Sequence, residues 1–556
     1  MTTRTPRSGP LMGQMMNMPL MISSLLVHAA RHAGDIEIVS KRVEGDIHRY
    51  TYQDAELRAR KLAQALARLG CEPGDRVGTL AWNGYRHFEI YYGSSGSELV
   101  CHTINPRLFP EQIVWIANDA ADRVLCFELN FLPLVEKLAP QLDSVVHYVL
   151  LTDRAHMPAS TSIPNLLCYE DLVEAEDGDY AWPSFDENTA SSICYTSGTT
   201  GHPKGAVYSH RSTLLHSYGL AMPDAMGVGG RDVILPVVPM FHVNAWGVPY
   251  AAPMIGAKLV FPGPHLDGKS LYELMESEKV TFSAGVPTVW LGLITYALQN
   301  KLVFSTLKRT VIGGSACPPA MMKTLEDEFH IEVIHAWGMT EMSPLGTLSK
   351  LKAKHMALDA EAQHRILEKQ GKAIFGVDMA ILDDDGKELP WDGKASGNLV
   401  VRGPWVIRSY FQRPESPLVQ VDGREWFPTG DVAAIDADAY MQITDRSKDV
   451  IKSGGEWISS IDLENIAMAH PAVHEAAAIA CHHPKWDERP LLVVVKKPGA
   501  ELTAAELLAF FEGRIAKWQI PDDVAFVGEI PHTATGKIQK LKLRELFKDH
   551  RLPTAG

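Results

Sequence analysis

No two of the seven cysteines stand as C-x-x-C; they lie singly at 71, 101, 126, 168, 194, 317 and 481 along 556 residues. An odd, dispersed set argues against a disulfide framework or a zinc site and suits reduced thiols in a cytoplasmic protein. Excess positive charge is also missing, since 53 Lys and Arg stand against 67 Asp and Glu, a formal net charge of −14. General attraction to nucleic acid or to an anionic membrane surface is therefore not indicated. No run reaches the roughly 18 uninterrupted apolar residues that a membrane span needs. Leu11 to Ala30 comes nearest, and Gln14, Asn17, Pro19, Ser23, Ser24 and His28 interrupt it. Internal repeats are absent too.

What is present is a globular composition, 46% hydrophobic and 22% charged. A single core stops growing near roughly 250 to 300 residues, so the length predicts several subdomains. Residues 1–20 read as a flexible extension, with Arg4 and Arg7 and no acid before Asp35 leaving a cleaved targeting segment as the alternative. From Leu25 to about Asp186, helix-like and strand-like stretches alternate. Tyr52 to Leu69 places Ala55, Ala59, Leu62, Leu66 and Leu69 at helical spacing, Gly70 ends it, and Arg76 to Trp82 reads as a buried strand. This alternation predicts an α/β fold with largely parallel strands.

The most informative stretch is Cys194 to Gly205, C-Y-T-S-G-T-T-G-H-P-K-G. Its glycines, Gly198, Gly201 and Gly205, admit close approach of backbone amides to an anion. Thr196, Ser197, Thr199 and Thr200 supply hydroxyl donors and Lys204 a full charge, so the expected ligand is a nucleotide polyphosphate. The Walker A spacing cannot be laid over it, and the bland reading of such composition is a polar surface loop. The stretch resembles the T-S-G-T-T-G-x-P-K-G signature of the adenylate-forming superfamily: acyl-CoA synthetases, luciferases and peptide-synthetase adenylation domains.

Further segments follow in the order of that family. In Phe241 to Trp246, F-H-V-N-A-W, a lone His beside aromatics is more often core than catalyst. The resemblance instead implies that His242 and Val243 line an acyl tunnel and that Trp246 gates it. Gly313, Gly314 and Ser315 allow an adenine or an acyl chain to lie against backbone. In H-A-W-G-M-T-E, His335 to Glu341, Trp337 can stack on a base beside Gly338 and Met339, Thr340 can donate to the α-phosphate, and Glu341 can hold Mg²⁺. The family usually has tyrosine where Trp337 stands. Asp431 in P-T-G-D matches the family's ribose acceptor, Arg446 lies on the ribose side, and Lys448 matches the hinge. Lys452, Gly454, Gly455 and Trp457, in K-S-G-G-E-W, match a face turned toward CoA, and Lys537 in T-A-T-G-K matches a mobile catalytic lysine.

The resemblance implies a large N-terminal domain of stacked α/β subdomains over 21–445 and a small mobile α+β C-terminal domain over 446–556. It also implies ATP, Mg²⁺ and coenzyme A as participants, with homodimers known among relatives. F-H-V-N-A-W and K-S-G-G-E-W-I-S look like bacterial medium-chain fatty acyl-CoA ligases and the related methylmercaptopropionate-CoA ligases, so the expected reaction is ATP-dependent acyl-CoA formation. A luciferase-like adenylating oxygenase is the rival enzyme reading. A non-catalytic nucleotide sensor would be expected to lack Lys204, Glu341, Asp431 or Lys537, and all four are present.

Overall fold

The computed structural model describes residues 11–196, 202–446, 448–453, 456–532 and 538–555, with only the backbone of Glu456 and Trp457. The phosphate-loop positions Ser197, Gly198, Thr199, Thr200 and Gly201, the glycines Gly454 and Gly455, and Lys537 lie outside the described residues.

Two large sheets dominate. One has seven strands in the order Leu167–Cys168, His147–Leu151, Asp122–Glu128, Arg76–Leu80, Val100–Thr103, Ala190–Tyr195 and Gly205–Ser209, all parallel neighbours except the last pair. The other has nine, and its run from Glu332–Gly338 through Arg309–Ile312, Phe282–Gly285, Val233–Pro236 and Lys258–Phe261 to Glu37–Lys41 is parallel. The expectation of an α/β fold with mostly parallel strands holds. The helix read from Tyr52 onward spans Tyr52–Arg68, opened by a Thr51/Asp54 capping box and ended before Gly70, whose φ of +76° only glycine adopts freely. One continuous apolar core joins residues of both sheets, such as Val77 and Cys194 with Ile234 and Ile334. Asn83 fastens the sheets directly, donating to the carbonyls of Pro236 (2.8 Å) and Val238 (2.9 Å).

A third, antiparallel sheet is built on the strand Arg424–Ile435, which pairs with Ser396–Arg402, Val419–Val421 and Met441–Arg446. A fourth belongs to the C-terminal part: Asp487–Lys496 pairs with Val473–His483 and, in parallel, with Asp523–Phe526. Its core of Ile451, Leu463, Leu492, Val494 and Phe511 is separate from that of the two large sheets. Arg446 is the last residue of the third sheet. Across this junction Asp445, 1% exposed, accepts from the backbone N–H (2.6 Å) and hydroxyl (3.0 Å) of Ser460, at the start of the helix Ser460–Met468. Lys540 donates to the same Ser460 hydroxyl and pairs with Glu464 at 2.6 Å.

All seven cysteines are free thiols. Among the described residues no helix is long and apolar enough to cross a membrane.

Candidate active site

The phosphate loop opens from a hairpin. Strands Ala190–Tyr195 and Gly205–Ser209 pair antiparallel, and at the loop's mouth Thr196 N–H donates to the Lys204 carbonyl (2.9 Å) while Lys204 N–H donates to the Thr196 hydroxyl (3.2 Å). Thr196 and Lys204 are thus held to each other. Next to it lies a cavity of 350 Å³ lined by Thr196, Lys204, His242, Val243, Trp246, Gly313, Gly314, Trp337, Gly338, Met339, Thr340, Glu341, Arg446 and Lys448, together with residues the sequence did not single out.

Lys204 and Glu341 are brought together by one of those unforeseen residues. Tyr410 donates its hydroxyl to Glu341 Oε1 at 2.7 Å, and the Lys204 ammonium lies 5.0 Å from the centre of the Tyr410 ring. Burial and the Glu341 carboxylate push the Tyr410 phenol well above its ordinary range, so it stays a donor. Tyr208 donates to the Thr340 carbonyl at 2.6 Å, and the Ile407 N–H donates to that of Glu341 at 2.9 Å, which fixes the short Thr340–Met342 turn after the strand Glu332–Gly338. No local pattern announces Tyr410. Its place follows from the Phe411 N–H docking on the Gly205 carbonyl (2.8 Å), a contact between segments some 200 positions apart.

Trp246 is buried at 7% exposure, and its ring reaches within 3.4 Å of where a Cβ on Gly313 would stand, and 3.8 Å for Gly314. These are ordinary van der Waals distances; what a Cβ on Gly313 would meet is the Ala336 carbonyl at 2.9 Å, and Gly314 stands at a φ of +82°. The backbone that presents Trp246 is a left-handed turn, with Val243, Asn244, Ala245 and Trp246 at φ of +47°, +50°, +49° and +56° and Gly247 at +81°. Left-handed residues cost roughly 1–2 kcal/mol each, and such strain gathers at functional sites. Asn244 holds the turn: it donates to the Ser192 hydroxyl (3.0 Å) and accepts from Tyr91 (3.3 Å) and from the Cys194 thiol (3.4 Å). The turn that carries Trp246 is therefore anchored to the strand Ala190–Tyr195. Beneath it His216, fully buried, accepts from the Leu345 N–H at 3.2 Å, and desolvation lowers it to about 3, so it is neutral.

Asp431 is 2% exposed; its Oδ2 accepts from the Trp337 indole N–H (2.9 Å), and its Oδ1 meets Arg446 Nε (2.7 Å). Trp337 and Arg446 line the cavity, and Asp431 stands behind them. Lys448 also faces the cavity, and burial lowers its pKa. Ser315 is exposed and off the cavity wall. Lys452 is exposed on the strand Ile451–Ser453, its N–H bound to Glu488 at 2.7 Å, and it too is off the wall; Trp457 is its ladder partner. Asp449 and Ile538, from beyond the junction, complete the lining.

Residues 26–411 match the sequence model of the AMP-binding enzyme family, and 462–537 match that of the AMP-binding enzyme C-terminal domain. The chain is 56% identical to the 3-methylmercaptopropionyl-CoA ligase of Ruegeria lacuscaerulensis over 97% of its length and 99% of the relative's. It is 51% identical to the medium-chain-fatty-acid–CoA ligase of Ectopseudomonas oleovorans over 97% and 98%. In fold it is similar to the solved anthranilate CoA ligase AuaEII in complex with anthranoyl-AMP, with a TM-score of 0.83, 24% identity, and 96% and 98% of the two chains covered. With both family matches in one chain and ligase relatives of matching length, the protein belongs to the AMP-binding enzyme family of adenylate-forming acid–thiol ligases.

Proposed function

We propose that the chain activates a carboxylic acid with an uncharged apolar tail through an acyl-adenylate and passes the acyl group to coenzyme A. The observation that carries this reading is the single cavity in which Lys204, Thr340 and Glu341 meet the apolar Val243, Trp246 and Leu345. A carboxylate is a poor acyl donor because oxide is a poor leaving group. Its attack on the α-phosphorus of ATP forms a mixed anhydride and expels pyrophosphate; attack of the CoA thiolate on the acyl carbon then expels AMP. Lys204 and Thr340, joined by Lys537, would stabilise the charge that gathers on the phosphate oxygens. Glu341 fits Mg²⁺, being a hard carboxylate on the cavity wall whose Oε1 is held by Tyr410, and one carboxylate with nucleotide phosphates is a usual magnesium set. When bound, the ion would neutralise phosphate charge. Thr196 to Gly201 would cradle the phosphates, and Asp431 and Arg446 would meet the ribose.

We further assign the domains as 21–445 and 446–556 after an extension of residues 1–20. Lys448 serves as the pivot, and Lys452, Gly454, Gly455 and Trp457 lie on the face that turns inward for CoA. The exposed position of Lys452 is compatible with a second orientation that brings it to the site. We place the enzyme in the cytoplasm as a homodimer, which light scattering tests.

A medium-chain linear acid is the main substrate reading. A second, 3-methylmercaptopropionate, is favoured by the 56% identical relative. Pyrophosphate release and CoA-thioester formation over a panel of acids decides: octanoate leading in kcat/KM supports the first, and the thioether acid leading supports the second. Dependence on oxygen or light emission would overturn both.

A further inference from the structure

The Trp337 indole lines the cavity and is also held from behind. Its N–H donates to Asp431 Oδ2 at 2.9 Å, and its ring is wedged against Gly346, where an added Cβ would lie 2.6 Å from ring atom Cζ3. The strand ladder sets this arrangement, with Trp337 paired to Thr347 and Asp431 to Arg446. Asp431 has two donors of different kinds. The Arg446 side chain is 44% exposed and sits at the end of its strand, so it can withdraw; the Trp337 ring, 9% exposed and packed on backbone, cannot turn. Each carboxylate oxygen has two acceptor directions, so an oxygen held by one donor still accepts a second.

We propose that Trp337 is a positioning residue for ribose recognition, its indole N–H locking the Asp431 carboxylate in the one rotation that presents its remaining acceptor directions to the ribose hydroxyls. This rests on the reading of Asp431 as the ribose acceptor and adds to it a residue that acts through Asp431. One side chain then serves base and sugar together, and Arg446 alone is exchanged when the sugar arrives.

The test is calorimetric binding of AMP and of 2′,3′-dideoxy-AMP to the full chain and to its Trp337→Phe, Asp431→Ala and doubly substituted forms. Phenylalanine keeps a ring and loses the N–H. A hydrogen bond to a charged group is worth enough that Trp337→Phe is expected to weaken AMP binding about tenfold while changing dideoxy-AMP binding less than about twofold. The preference for ribose hydroxyls should then be nearly lost, and the double substitution should add little to Asp431→Ala. Equal weakening of both ligands would overturn the proposal and leave Trp337 a base platform, and so would full retention of the preference. If the unsubstituted protein and Asp431→Ala both bind the two nucleotides alike, Asp431 is not the ribose acceptor and the proposal falls with that reading. Because each variant is compared with itself across two ligands, a variant that is partly unfolded lowers the bound fraction of both and leaves the ratio intact.

Discussion

Trp246 lines the cavity beside two glycines, and under the proposed function its ring is a gate that would separate acids by how far it must move. Trp246→Ala is expected to flatten the dependence of kcat/KM on tail length while leaving the affinity for ATP within about twofold, because the residue touches the acyl path and not the phosphate hairpin. In the unsubstituted enzyme each further buried methylene is worth up to about 0.8 kcal/mol until the pocket ends. Loss of ATP affinity with unchanged acid selectivity would make the ring a core element. Kinetics over butyrate to decanoate, with ATP titrated in parallel, reads both quantities.

The left-handed turn at Val243–Trp246 shows what a local pattern can and cannot announce. F-H-V-N-A-W marked the place, yet a valine at φ +47° goes against propensity, and only the hydrogen bonds of Asn244 to Ser192, Tyr91 and Cys194 make it tenable. Those partners come from two elements far from the turn in sequence, the helix Tyr85–Ser95 and the strand Ala190–Tyr195, and Tyr410 is likewise distant from Glu341, so no window of residues contains the signal. By contrast the helix at Tyr52–Arg68, the strand at Arg76–Leu80 and the strand end at Tyr195 are legible because their causes are local: helical spacing, a terminal glycine and apolar runs. Asp431 falls between the cases, its identity readable from P-T-G-D and its burial behind Trp337 and Arg446 not. The turn also makes a stability prediction. A Cβ on Gly247 would lie 2.7 Å from the His216 ring at a φ of +81°, whereas one on Gly499, at +77°, would meet nothing within 4 Å. Gly247→Ala should therefore cost about 1–3 kcal/mol beyond what Gly499→Ala costs, read as the difference in melting temperature of the two variants.

At the scale of the whole molecule, burial sets the acid limit. His87, His210 and His335 are lowered to about 4 and His216 to about 3, each chiefly by desolvation, so all four are neutral in the folded protein and charge on unfolding below their ordinary value of 6.5. Between pH 6.5 and about 4 the unfolded chain binds the extra protons, so stability rises with pH and is lost as pH falls through that window, by about 1.4 kcal/mol per pH unit for each histidine. Melting temperature should drop from pH 7 to pH 5, and His216→Gln should lessen the slope. The two proposed orientations of the C-terminal unit give a kinetic counterpart. Lys537→Ala is expected to slow adenylate formation by on the order of 10² to 10³ and to spare attack of CoA on supplied acyl-adenylate, with Lys452→Ala showing the opposite bias. Equal damage to both steps by both substitutions would leave a single closed site.

The contact of Asp445 with Ser460 bears on modular exchange. An engineer grafting a foreign C-terminal unit at position 447 would keep every residue of the large part and still sever two of the three hydrogen bonds made to a 1% exposed carboxylate, leaving the Arg446 N–H at 2.7 Å. An under-satisfied buried carboxylate of this kind costs about 1–3 kcal/mol. The donor unit must therefore supply a serine at the first turn of its helix and a lysine in place of Lys540, or the graft point must move upstream of Asp445, so that the carboxylate travels with the helix it binds.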